Sequence, residues 1–132
     1  MRHDLTIICD DIRQEVGRKL SFMGIYDEAI IFKRLPARVP KICMFQRWIG
    51  SDLPEIVKIE LTGQSVTGTF VAEVRPTSVA HESKRANLLV AFAPIDFVDV
   101  GTIELRTYFD GSDKPSQTHT IEIRLDPDLV LE

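Results

Sequence analysis

A chain of 132 residues and 15.0 kDa has room for one core, so one domain is expected over residues 1–132. Its 44% hydrophobic and 27% charged content excludes a disordered chain and a miniature dependent on disulfides. A net charge of -4, a pI near 5.4 and scattered Lys and Arg argue against a nucleic-acid partner. The longest apolar stretch, 88–95, is far short of the roughly 20 residues of a membrane-crossing helix, so no membrane partner is expected either. Met1-Arg2-His3-Asp4 passes into strand-like sequence without the apolar region of a secretory signal, and the expected location is cytoplasmic.

Alternation of apolar and polar residues, which places every second side chain on one face of a strand, recurs along most of the chain. Residues 5–9, 19–26 and 29–34 have strand character. Between the first two, one short helix is expected at 11–17. Asp11 stands where it would cap the first turn, Gln14 lies at capping-box spacing, Ile12 and Val16 share a helical face, and Gly17 can end it. Residues 41–49 carry Ile42, Cys43, Met44 and Phe45 in succession, the pattern of a central strand covered on both faces. Cys9 and Cys43 lie among apolar residues, the usual setting of inert thiols in a reducing compartment, and their spacing leaves a disulfide open. Trp48 follows both, so the Cys, Trp, Cys order of antibody domains is absent.

Farther on, Val57, Ile59 and Leu61 alternate with Lys58 and Glu60, and Phe70, Ala72 and Val74 alternate with Glu73 and Arg75. The Gly-containing segment 62–68 between them predicts a hairpin. Residues 79–92 are ambiguous between helix and strand, and are taken as a polar loop followed by a strand at 87–93. Ile103, Leu105, Thr107 and Phe109 then share one face, as do His119, Ile121, Ile123 and Leu125. A turn over 110–116 would pair them with Arg106 opposite Glu122 and Glu104 opposite Arg124, two complementary cross-strand pairs. Residues 126–132 look like a tail. The seven prolines fall almost wholly between these runs. About nine strands with at most one short helix predict an all-β fold, a two-sheet antiparallel sandwich of immunoglobulin-like or related Greek-key type.

Chemistry is sparse. The most suggestive cluster is Asp10, Asp11, Arg13 and Glu15, since adjacent carboxylates can hold a hard cation or exchange protons. Its bland alternative is a capped helical turn with a solvated ion pair. With strands running up and down in order, Asp96 and Asp99 would reach the same end of the sandwich and could approach Asp10 and Asp11. Calcium, however, takes about 6–8 converging oxygens, and only a few are in sight. His3, His81 and His119 have no metal-ligand spacing, and His119 falls on the apolar-facing set of its strand. No GxSxG elbow and no Gly-rich phosphate loop occur, and Asp110-Gly111-Ser112-Asp113 lacks the rest of a calcium loop. Phe22, Tyr26, Phe45 and Trp48 could line an apolar pocket or simply pack a core. No cofactor and no catalytic residue are expected.

The segment Cys9-Asp10-Asp11-Ile12-Arg13-Gln14-Glu15-Val16-Gly17, followed by Lys19-Leu20-Ser21-Phe22-Met23-Gly24-Ile25-Tyr26, resembles a bacterial family of small proteins known only as a domain of unknown function. Pro40-Lys41-Ile42-Cys43 and 101–111 look similar too, so the resemblance spans most of the chain. It implies a bacterial origin and a stand-alone sandwich-like domain, with no activity, ligand or catalytic residue to carry over. The function expected is a non-enzymatic interaction module with a protein partner or a second copy of itself. The alternatives are a metal-dependent binder or enzyme using Asp10, Asp11, Arg13 and Glu15, and a carrier of a small apolar ligand.

Overall fold

The computed structural model describes residues 1–78 and 84–129. The strands are β1 (Arg2–Glu15), β2 (Lys19–Tyr26), β3 (Ala29–Phe32), β4 (Ala37–Val39), β5 (Ile42–Ile49), β6 (Val57–Gly63), β7 (Phe70–Val74), β8 (Thr77–Ser78), β9 (Arg85–Phe92), β10 (Ile95–Phe97), β11 (Gly101–Phe109) and β12 (Gln117–Leu125). They form two five-stranded sheets, ordered β2-β1-β5-β9-β8 and β3-β12-β11-β6-β7, and a two-stranded ribbon of β4 and β10. Pairing is antiparallel except between β3 and β12, which run parallel. The chain is therefore an all-β sandwich. Its strands outnumber the nine expected because β4, β8 and β10 hold only two or three residues each, too few to show a period.

The two sheets meet through their alternate side chains. Ile8, Ile42, Met44, Trp48, Leu88 and Val90 of the first pack with Val57, Ile59, Leu61, Ile103, Leu105 and Ile121 of the second in one apolar cluster. This burial supplies the driving force, at about 1.5–3 kcal/mol for each large side chain withdrawn from water. As its sequence predicts, β5 lies in the middle of its sheet and is covered on both faces. Ile42, Met44 and Trp48 enter the cluster, while Cys43 and Phe45 are buried outside it. Phe22 packs edge-on against Phe45 at 5.3 Å, and the Arg47 guanidinium lies 5.6 Å from the same ring. The hairpin of β6 and β7 forms as expected. β9 supplies the strand expected at 87–93 but begins at Arg85, inside the expected loop, whereas residues 79–83 of that loop and the last three residues of the tail fall outside the described residues.

Two local expectations are corrected. No helix occurs at 11–17: β1 continues through Glu15, and the chain reverses over Val16, Gly17 and Arg18 before Glu15 pairs with Lys19. Gly17 and Arg18 have φ of 84° and 60°. A glycine suited to the left-handed region serves a helix C-cap and a hairpin turn equally, and the ladder available to β2 decides the outcome.

The second correction concerns β11 and β12, which pair as an adjacent hairpin but in a different register. Glu104 lies opposite Thr120, Arg106 opposite Thr118, and Thr102 opposite Glu122. Asp110 and Gly111, with φ of 48° and 73°, turn the chain immediately after Phe109, and Ser112 N–H donates to Phe109 O. The hairpin thus closes earlier than a turn centred on 110–116 would allow. Because the displacement is an even number of residues, Ile103 and Leu105 still face the core with Ile121 and Ile123. The charges pair along each strand instead of across: Arg106 with Glu104 at 2.6 Å and Arg124 with Glu122 at 2.9 Å. Neighbours two apart share a face and lie close enough for long side chains to join.

Candidate functional site

The acidic cluster of β1 sits in an extended arm. The first part of β1 pairs with β5 as far as Cys9 opposite Cys43, and the part from Ile8 to Glu15 pairs with β2. Residues 10–15 thus leave the five-stranded sheet with only β2 beside them. Asp10 and Asp11 are mid-strand residues rather than members of a loop end, and alternation sends adjacent side chains to opposite faces.

Each carboxylate of the cluster has its own partner. Asp10 Oδ1 accepts a hydrogen bond from the Tyr26 hydroxyl, and its carboxylate lies over Gly24. Asp11 Oδ1 accepts from Lys41 Nζ at 2.5 Å and from Ile12 N–H at 3.0 Å, while Arg13 Nε is 3.8 Å from Oδ2. Glu15 Oε2 accepts from the Ser21 hydroxyl at 2.7 Å. Hydrogen bonding to Lys41 holds the Asp11 carboxyl below its usual range, and the same bond raises Lys41. Burial, then the bond to Asp10, raises the Tyr26 phenol.

Asp96 and Asp99 form no metal-holding group with Asp10 and Asp11 among the described residues. Asp96 forms a two-pronged pair with Arg38 across the ribbon of β4 and β10, at 2.7 and 3.0 Å, and Asp99 Oδ1 accepts from Val100 N–H at 2.8 Å. Among the described residues no group of three or more His, Cys, Asp or Glu is arranged to hold a metal ion. Cys9 and Cys43 face each other as buried free thiols, and burial raises both pKa values, which disfavours the thiolate needed for nucleophilic chemistry.

A buried polar chain, missed by motif reading, joins the two sheets. The Gln46 amide oxygen accepts from Trp48 Nε1 at 3.2 Å and from the Thr107 hydroxyl of β11 at 2.9 Å. The Gln46 amide nitrogen donates to Thr6 Oγ1 at 3.2 Å, and His3 Nε2 lies 2.7 Å from that hydroxyl. Gln46 and Thr107 are fully buried. The signal was visible as a polar residue on the inward set of each strand: Gln46 between Met44 and Trp48, Thr107 beyond Leu105.

His119, half-buried opposite Leu105, titrates below its ordinary 6.5 because of burial first and the nearby His3 second. The unfolded chain therefore takes up this proton first, and stability, full above pH 6.5, declines as the pH falls from 6.5 toward the lower folded value. Melting temperatures should show that decline, and His119→Gln should flatten it. Equal slopes in the two proteins would remove His119 as the source.

Two concavities lie on the described surface. A shallow polar depression of about 440 Å³ is lined by Thr62, Gln64, Thr102, Glu104 and Arg106, with the guanidinium already bound to Glu104. An apolar cleft beside Met1, Trp48, Pro54 and Phe109 leaves essentially no room even for a water molecule, far from the roughly 300–1,000 Å³ of a small-molecule site. No described helix is long and apolar enough to cross a membrane.

The sheet edges differ more than the concavities do. β8 has two residues, β3 has four between Asp27-Glu28 and Lys33-Arg34, and β7 has five, contains Glu73 and ends at Arg75-Pro76. β2 has eight and carries no charge or proline from Leu20 to Tyr26. Ile25 on it is 58% exposed.

A family model described as a family of unknown function (DUF6941) matches residues 4–125. No curated protein matches the chain. The chain belongs to the DUF6941 family.

Proposed function

We propose that this member of the family is a non-enzymatic interaction module of a reducing, cytoplasmic compartment that binds another polypeptide by strand addition at the edge of β2. The observation that carries the reading is the contrast among the outer strands of the two five-stranded sheets. An unpaired strand offers a row of N–H and C=O groups to any extended chain, and proteins usually blunt it by shortness, charge or proline. β3, β7 and the described part of β8 bear such devices, and β2 is free of them from Leu20 to Tyr26. Outside the ladders, no main-chain group of β2 takes part in a hydrogen bond among the described residues. The intramolecular partners of Asp10, Asp11 and Glu15 favour a structural task for the acidic cluster over a catalytic or metal-binding one.

Placing a lysine at an exposed edge position should close this surface without disturbing the core. Immobilised wild-type protein is expected to retain a polypeptide from its host's lysate that Ile25→Lys, folded by circular dichroism, does not retain. Equal retention by both proteins would defeat the assignment to β2.

A further inference from the structure

Charge and symmetry select the occupant of the β2 edge. Arg18 and Lys19 stand at one end of the uncharged run and Asp27 and Glu28 at the other. All four are exposed, and none is in an ion pair among the described residues. An edge that is basic at one end and acidic at the other complements itself when paired antiparallel, since each basic end meets the partner's acidic end.

Symmetry then selects the register. Two identical antiparallel strands in one sheet are related by a two-fold axis normal to the sheet, which keeps each side chain on its face. Opposed residues must share a face, so one residue has to lie opposite itself. Centring on Met23 sets Lys19 opposite Asp27 of the second copy, twice by symmetry, and brings Arg18, in the turn before β2, and Glu28, where the chain crosses to β3, to the same two ends. Centring on Phe22 would set Lys19 opposite Ile25, and centring on Gly24 would set it opposite Ala29, and neither matches charges. Only the Met23 register satisfies both ends. It also brings Leu20, Phe22 and Ile25 alongside apolar, glycine or small residues, with no charge placed against the uncharged run.

We infer that the partner at this edge is a second copy of the chain, joined through antiparallel β2 strands in the register centred on Met23, so that the five-stranded sheet of each copy continues into the other. The inference rests on the strand-addition reading above. Such an interface is short, and a small contact of this kind forms weak, concentration-dependent dimers.

Light scattering at low salt tests it. Wild-type protein should approach twice 15.0 kDa as its concentration is raised into the hundreds of micromolar. The charge-reversed variants R18E/K19E and D27K/E28K, each checked for folding by circular dichroism, should remain monomers alone. Mixed together they should dimerise, because each then offers the charges the other lacks. A wild-type monomer at the highest concentration, variants that dimerise as wild type does, or a mixture that stays monomeric would each overturn the self-pairing. The two readings fail separately: a strict monomer that still loses a captured host protein on Ile25→Lys leaves strand addition standing, and one that captures nothing through β2 removes both.

Discussion

Replacing Gln46 by leucine is expected to lower stability by about 3 kcal/mol, although the substitution removes a polar group from an apolar interior. The cost comes from the partners left behind. Trp48 Nε1 and the Thr107 hydroxyl both donate to the Gln46 oxygen, and the Gln46 amide donates to Thr6. Each buried group stripped of its partner costs about 1–3 kcal/mol, while the bond itself contributes only about 0.5–1.5 kcal/mol when both partners are present. Thr107 is fully enclosed and cannot turn to water. Thermal unfolding reads the loss directly, as a drop on the order of 10 °C. Thr107→Val alone should cost about 1 kcal/mol, since the Gln46 oxygen keeps Trp48. The double variant should lose less than the two single ones together, because removing the hydroxyl removes one orphan. A neutral or stabilising Gln46→Leu would show that the chain contributes nothing to joining the sheets.

The physics of the fold explains which of its parts were legible in the sequence. Alternation is a local property, and it located the hairpin of β6 and β7, the inward set of β11 and β12, and the central position of β5. Register depends on where a turn closes, and that choice lay in Asp110 and Gly111 adopting left-handed conformations directly after Phe109. Charge complementarity between Glu104, Arg106, Glu122 and Arg124 was a poor guide there. The same four residues satisfy one another along their strands as well as across, and exposed pairs contribute too little to move a register fixed by the core. β1 was misread past Cys9 because Asp11, Gln14 and Gly17 carry helix-boundary signals that a hairpin also uses. The parallel return of β3 beside β12 joins segments about ninety residues apart, and no local pattern announces it. At the candidate site, the acidic run was visible but its partners were not. Tyr26, Lys41 and Ser21 come to Asp10, Asp11 and Glu15 only through the pairing of β1 with β2 and the approach of β5.

Gly24→Ala is expected to cost on the order of 2 kcal/mol, and the cost of Asp10→Ala beside it separates a structural carboxylate from a ligand-binding one. Gly24 has φ of +67°, where a side chain is strained whatever the space. There is also no space: an added Cβ would fall 2.8 Å from Asp10 Cγ and nearer still to its Oδ2. Asp10 is itself held by the Tyr26 hydroxyl, so it cannot swing aside without giving up that bond. The three residues therefore form one unit in which a carboxylate lies over a glycine and takes a proton donor from two residues farther along the same strand. Asp10→Ala removes the carboxyl from the collision, and the double variant should lose less than the sum of the single variants by about 1 kcal/mol, leaving the 3.2 Å approach of the Cβ at position 10 and the backbone strain of alanine at position 24. A carboxylate kept for a cation would show itself in the Asp10 variant and in its response to metal. Asp10→Ala would then leave stability little changed without metal, and calcium or magnesium would raise the melting temperature of the wild-type protein but not of Asp10→Ala. Urea unfolding of the four proteins, with and without either metal, distinguishes the outcomes.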